Sequence, residues 1–236
     1  MDISQAEIEL IVRQVSVFNS ATDEDIQAIA RLGIPRAVEE GGYFFFQGDV
    51  ADYLYIMMDG RAKLCQVGKD GQLVNLRTLV RGQLFGAVGA IEPRATYPAC
   101  AQALEDSMAI AIESRAFHDI LETRPHLSFG MMRLMTGYIR EIQERYRELA
   151  TERVEQRIAR ALLRLAAQSG RRVDGEGLLI ELAFSREDLA EMTGTTLYTV
   201  SRTLSAWEKR GIIKTGRERI ILPNPHDLVR LAEDLQ

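Results

Sequence analysis

Cysteine is almost missing from this 236-residue chain: it has two, Cys65 and Cys100. Two thiols cannot make a metal cluster alone. They allow at most one disulfide, and a pair of reduced thiols in a cytoplasmic protein is the simpler expectation. Histidine is scarce as well, with three scattered residues, His118, His126 and His226. No Ser/His/Asp grouping, phosphate loop or metal-ligand spacing accompanies them, so neither catalytic residues nor a metal site are expected. No run approaches the roughly eighteen apolar residues of a membrane span. The opening MDISQAEIEL lacks a basic segment followed by an apolar core, which argues against a secretory signal. Internal repeats and low-complexity tracts are absent too. The chain does carry 46% hydrophobic and 27% charged residues, enough to bury a core in one large domain or two modest ones.

The most informative stretch is SREDLAEMTGTTLYTVSRTLSAWEKRG, residues 185 to 211. Ser185 with Asp188 three residues on reads as a capped helix start, and Leu189 and Met192 give that helix a buried stripe. Gly194 supplies the backbone freedom of a tight helix-helix turn, and Thr196 caps the next helix. Leu197, Val200, Leu204 and Trp207 recur at three and four residues and form one apolar face. Tyr198, Ser201, Arg202 and Ser205 lie opposite, a set suited to base edges and phosphates. After Gly211-Ile212-Ile213, the turn Thr215-Gly216-Arg217 and the return Ile220-Ile221-Leu222 predict a β-hairpin wing. Helix, turn, helix and wing together point to duplex DNA.

A net charge of −5 runs against a DNA partner until its distribution is considered. Residues 1–150 hold 15 Lys and Arg against 21 Asp and Glu, whereas residues 151–236 hold 14 against 13. The acidic excess lies away from the helix-turn-helix.

Upstream the texture falls into segments. Residues 5–33 predict two short helices, the second started by Thr22 and its acidic run and stopped at Gly33. From Ile34 to Ile112 short β runs (Tyr43–Phe46, Tyr53–Met58, Ala62–Val67, Leu73–Leu79, Met108–Ile112) alternate with turns at Gly48-Asp49, Asp59-Gly60, Lys69-Asp70-Gly71 and Arg81-Gly82. That spacing predicts a small barrel or jelly roll. After a helix at Ser114–Glu122, Pro125 opens a long one over about 126–150. Met132, Met135, Ile139, Ile142, Tyr146 and Leu149 form a 3-4 seam suited to a partner helix. A second stripe, Met131, Leu134 and Tyr138, is placed to pack on the barrel. Ala150–Glu155 reads as a hinge, 154–165 as a supporting amphipathic helix and Gly170–Gly177 as a loop. The expected class is therefore α+β: a β jelly-roll barrel as sensor domain (1–125), a dimerisation helix and hinge (126–152) and a winged helix-turn-helix (153–236).

This order of parts resembles the Crp/Fnr superfamily of transcription regulators over nearly the whole chain. Its most specific parts are Thr199-Val200-Ser201-Arg202, Phe85-Gly86 with Gly89, and the Asp59-Gly60 turn. The resemblance implies a homodimer on a palindromic operator, working with RNA polymerase in the cytoplasm and not at a membrane. It assigns Arg202 to a guanine and Ser201 to base contact. Tyr198 stands where the well-known branches place glutamate, and it serves either a base or a phosphate. Thr196, Thr199 and Arg217 complete the DNA-binding set, with Thr196 and Arg217 suited to phosphates.

The resemblance also bears on the sensor domain. Where cyclic-AMP-binding members carry Phe/Ile-Gly-Glu and later Arg-Ser, this chain has Phe85-Gly86-Ala87 and Tyr97-Pro98. Both charged groups are replaced, which argues against classical cyclic-AMP binding because a buried phosphate needs a cation. Two cysteines cannot hold the four-cysteine iron-sulfur cluster of the oxygen-sensing branch. What remains looks most like the nitric-oxide and denitrification branch (Dnr/NnrR-like), which implies haem as a candidate cofactor. The effector-pocket candidates are Phe85, Ala87, Val88, Tyr97, Cys100, Met131 and Tyr138, with His118 and His126 as candidate axial ligands. The alternative is a constitutive DNA-binding dimer whose barrel binds no ligand.

Overall fold

A computed structural model describes residues 3–68, 73–173, 177–181, 185–216 and 219–234. The Lys69-Asp70-Gly71 turn and Arg217 lie outside the described residues. The chain divides into two compact units, Met1–Glu141 and Ile142–Gln236. The division falls within the long helix.

The first unit opens with α1 (Gln5–Gln14), a 3-10 turn at Ser16–Phe18 and α2 (Asp23–Arg31). Both helices start from complete capping boxes, Ser4 with Glu7 and Thr22 with Asp25. Eight strands follow: β1 (Ile34–Val38), β2 (Tyr43–Phe45), β3 (Tyr53–Asp59), β4 (Ala62–Val67), β5 (Leu73–Leu79), β6 (Leu84–Phe85), β7 (Cys100–Ala103) and β8 (Ser107–Glu113). They pair as two antiparallel four-stranded sheets, β1-β8-β3-β6 and β2-β7-β4-β5. This is the jelly roll that the turn spacing predicts. The one-turn helix α3 (Val88–Ile91) lies between β6 and β7, and α4 (Ser114–Thr123) leads to α5 (Pro125–Thr151).

Strand alternation separates two cores. Tyr55, Met57, Ala109 and Ala111 of β3 and β8 join Phe44, Phe45, Phe85, Tyr97, Ala101 and Ala103 in one cluster. Leu54, Ile56, Ile110 and Ile112, on the opposite face of the same strands, pack with α1, α2, Phe117, Leu127 and Met131. The first turns of α5 are pinned into this second core. A Cβ on Gly130 would lie 2.1 Å from the Val17 carbonyl oxygen, so only glycine admits the approach.

Asp25 ties α2 to the start of α5. Its carboxylate accepts from the Thr22 N–H and from His126 Nε2 at 2.8 Å each, and pairs with Arg124 Nε at 2.8 Å. Burial alone would raise its pKa, but hydrogen bonds from Thr22 and His126 outweigh it and hold the carboxyl at about 2, against an ordinary 3.8. The folded value is the lower one. The stabilisation is therefore fully present above the unfolded pKa and disappears as pH falls through the folded one, and it amounts to about 2 kcal/mol. Asp25→Asn is expected to lose that amount at neutral pH in chemical denaturation. The gap to wild type should close between about pH 4 and pH 2.

The two cysteines depart from the expectation of reduced thiols. Cys65 and Cys100 are register partners on β4 and β7 with Cα atoms 5.1 Å apart, and their sulfurs are joined. Antiparallel pairing brings the two together, and a separation of 35 residues in sequence gives no hint of it.

In the second unit α6 (Val154–Ser169) leads into β9 (Gly170–Val173) and β10 (Gly177–Glu181), then α7 (Arg186–Thr193), α8 (Leu197–Lys209), β11 (Lys214–Gly216), β12 (Arg219–Leu222) and α9 (Pro225–Ala232). The stretch read as a loop from Gly170 thus holds a strand. The wing is correspondingly larger than a hairpin, a four-stranded sheet in the order β11-β12-β10-β9. Ile212 and Ile213 precede β11 and are buried in the core of the unit with Trp207, Leu204, Val200 and Leu189. Among the described residues, no helix is long and apolar enough to cross a membrane.

Candidate nucleic-acid interface

The helix pair is set by its caps and its turn. Ser185 accepts from the Asp188 N–H and Asp188 returns the bond, closing a capping box at the start of α7. Gly194 ends α7 in the left-handed region at φ 59°, where a side chain is strained. Thr196 caps α8 by accepting from the Thr199 N–H at 3.2 Å, and its hydroxyl also meets the Thr199 hydroxyl at 3.0 Å. Both threonines are thus engaged in building the helix start.

The buried side of α8 consists of Val200, Thr203, Leu204 and Trp207. Leu197 is a correction to the expected apolar face: it is 48% exposed. As the first helical residue it precedes the turn that meets the core. Tyr198, Arg202 and Ser205 stand exposed on the other side, and Ser201 is half-buried. The Arg202 guanidinium lies 6.0 Å from the centre of the Tyr198 ring.

The wing is fastened to α8 through Glu208, whose carboxylate accepts from the Thr215 N–H at 2.9 Å and the Thr215 hydroxyl at 2.7 Å. These two bonds hold its pKa below the ordinary carboxylate value. The wing candidate Arg217 is outside the described residues, whereas Lys214 and Arg219 flank it as exposed cations. Sequence reasoning passed over these two because strand positions cannot be ranked for phosphate contact without the sheet.

Arg157 was also missed. Its guanidinium donates to the carbonyls of Thr193 at 3.0 Å and Gly194 at 3.4 Å in the turn, and to the Glu152 carbonyl at 2.9 Å. The last carbonyls of α5 and α7 have no helical partners, and one planar cation satisfies both ends. The Glu152 carboxylate in turn takes Arg160 and Arg147, and Glu148 takes Arg164 at 2.7 Å. The stretch read as a hinge is therefore cross-linked by ion pairs. Its only sequence signal is a set of cations flanking the apolar stripe of α6, with partners not legible from spacing.

The seam on α5 stands in the open. Met132, Met135, Ile139, Ile142, Tyr146 and Leu149 are 44–74% exposed, and Phe129, one turn earlier, extends the line at 61%. The second stripe is covered: Met131 is buried, Leu134 packs on the helical core, and the half-buried Tyr138 donates to the Leu84 carbonyl at 3.1 Å beneath the Arg77 guanidinium.

The effector-pocket candidates do not converge. Phe85, Val88 and Tyr97 meet in the barrel interior, Ala87 and Met131 belong to the helical core, and Cys100 is spent on Cys65. Tyr97 stacks on Phe45 with ring centres 3.8 Å apart, and its hydroxyl donates to the Tyr53 carbonyl and accepts from the Tyr53 N–H. Burial raises its pKa above the ordinary phenol value. Phe85 stacks on Tyr55 at 5.2 Å, and a Cβ on Gly86 (φ 71°) would meet Phe45, Tyr55 and Tyr97 at 3.1–3.3 Å. His118 Nδ1 lies 2.9 Å from the Ala90 carbonyl oxygen, and His126 Nε2 is bound to Asp25.

Comparison with known proteins agrees with this geometry. Residues 35–124 match the cyclic nucleotide-binding domain, and residues 156–231 match the Crp-like helix-turn-helix domain. A CRP-like cAMP-activated global transcriptional regulator of Mycobacterium tuberculosis is 23% identical over 94% of this chain and 98% of its own. The fumarate and nitrate reduction regulatory protein of Escherichia coli is 28% identical over 84% of this chain and 78% of its own. The solved structure of FixK2 from Bradyrhizobium japonicum superposes with a TM-score of 0.75 at 22% identity, covering 84% of this chain and 96% of that one. With both domain matches in their expected order and relatives along nearly its full length, the chain belongs to the Crp/Fnr family of DNA-binding transcription regulators.

Proposed function

We propose that this protein acts as a homodimer that reads a palindromic operator in duplex DNA through two copies of α8, in the cytoplasm and together with RNA polymerase. One observation carries the reading. Arg202 stands exposed on the outer face of a helix whose inner face is fully buried and whose ends are fixed by a capped turn and a wing. A guanidinium so placed matches the O6 and N7 of guanine. Arg202→Ala is expected to cost about 1–3 kcal/mol per half-site and to relax the base preference at one position. Fluorescence anisotropy on matched duplexes at fixed salt checks it, and unchanged affinity would contradict the assignment. The apolar line on α5 supports the pairing, because helix-turn-helix readers engage two half-sites about one DNA turn apart.

For the barrel, the aromatic filling favours the ligand-free reading over effector control. The rings of Phe44, Phe45, Tyr55, Phe85 and Tyr97 occupy its interior, and Tyr97 lies where the resemblance places the phosphate-binding pair. Haem does not fit the residues as arranged: the candidate pocket side chains are divided between two cores, His126 Nε2 is bound to the Asp25 carboxylate, and His118 meets the Ala90 carbonyl through Nδ1 and Glu122 through Nε2. In this reading the barrel is a scaffold that carries α5. Calorimetry with cyclic AMP, and absorption spectra with haem and nitric oxide, are expected to show no specific binding. A ligand-dependent change in DNA affinity would restore the effector reading.

A further inference from the structure

We propose that Tyr198 determines specificity: its ring holds the Arg202 guanidinium in place and itself contacts the 5-methyl group of a thymine near the guanine that Arg202 takes. The inference deepens, and rests on, the reading of α8 as the DNA-reading helix. Four observations carry it. Tyr198 is 74% exposed in the first turn of α8, so its ring serves no core. Its hydroxyl makes no hydrogen bond among the described residues, while the neighbouring Thr196 and Thr199 hydroxyls are engaged with each other. Arg202 follows at i+4 on the same face, with its guanidinium carbon 6.0 Å from the ring centre, at the outer edge of cation–π range. The residues at the start of such a helix are the ones that reach base edges.

The chemistry then selects the partner. A phenol has no paired acceptors for a cytosine amine, and its ring edge is apolar. The matching feature in the major groove is the thymine methyl. Four residues of helix rise span about 6 Å, less than two base-pair steps of about 3.4 Å. The thymine is therefore within two pairs of the guanine. A guanidinium kept beside a ring loses less freedom when it forms its two parallel bonds to guanine, so the two side chains act as a coupled pair.

The test uses the full chain and duplexes that the wild type selects from a random pool. Each thymine within two pairs of the selected guanine is replaced by deoxyuridine, which removes the methyl alone. At one position this is expected to weaken wild-type binding about fourfold per half-site, the value of one buried methyl. Tyr198→Ala should bind the thymine and uracil duplexes equally, and Tyr198→Phe should keep the discrimination. The Tyr198→Ala and Arg202→Ala losses should combine to less than their product. Thermal unfolding of Tyr198→Ala is expected to match wild type, given its exposure. Insensitivity to uracil at every position overturns the proposal, as does a Tyr198→Phe loss equal to that of Tyr198→Ala and uniform over sequences, the signature of a phosphate contact. Failure of the wild type to select any sequence overturns the helix-turn-helix reading itself, and is recognised before any substitution is compared.

Discussion

The Ile139→Glu/Ile142→Glu double variant is expected to remain monomeric at concentrations where the wild type pairs, and to lose with that most of its affinity for a palindromic duplex. The two side chains are 56% and 66% exposed at the middle of the α5 line, so the change costs the isolated chain little. Full burial of such a side chain contributes about 1.5–3 kcal/mol, so roughly 1–2 kcal/mol remains to be gained from each half-exposed one. Six positions on two copies then supply about 12–24 kcal/mol, against an association cost of about 4–15. That margin is modest. Removing four apolar groups and placing four carboxylates at the seam reverses it. Without pairing, the second half-site is no longer engaged at high effective concentration, a loss of about 10²–10⁴ in avidity. Sedimentation velocity and DNA titration at one salt concentration check both halves. A double variant that stays dimeric would place the interface elsewhere.

Trp207→Ala is expected to destabilise the second unit by about 3–5 kcal/mol. Trp207 is 1% exposed, packed in the cluster that joins α6, α7, α8 and the wing, and its carbonyl accepts from the Ile212 N–H at 3.0 Å where the chain turns out of α8. A unit of this size has a total stability of about 5–14 kcal/mol, so the variant loses from about a fifth of it to all of it, and the fixed orientation of α8 is weakened with it. Trp207 is the chain's only tryptophan, so wild-type fluorescence reports on this unit directly, while the variant is followed by circular dichroism. Trp207→Phe, which keeps most of the ring volume, should lose less. An unchanged denaturation midpoint for Trp207→Ala would mean that α8 is not held from its buried face.

The parts legible in the sequence are those fixed by local rules. Ser185, Gly194 and Thr196 announced their caps and turn because the partners lie within four residues. The Met132–Leu149 seam was legible because periodicity on one helix needs no knowledge of the rest of the chain. What escaped depends on contacts distant in sequence. The strands β1, β6 and β7 are short or lack alternation, and β9 carries the polar pair Arg171-Arg172 that reads as a loop. The Cys65–Cys100 pairing is a consequence of sheet register. Arg157 acts on carbonyls 36 and 37 residues away. The scatter of the effector-pocket candidates has the same origin: where the chain enters α3, the cap residue Ala87 goes to one core and Val88, the first helical residue, to the other, a division that no spacing reveals.

The most direct measurement is the stoichiometry and affinity of the full chain on a duplex selected from a random pool, beside the same duplex with one half-site scrambled. Two chains per intact duplex are expected, with scrambling one half-site weakening binding at least a hundredfold, within the range set by lost avidity, and affinity falling steeply with salt. One chain per duplex, equal affinity for both duplexes, or no binding to any duplex at low salt would contradict a paired presentation of α8 to DNA.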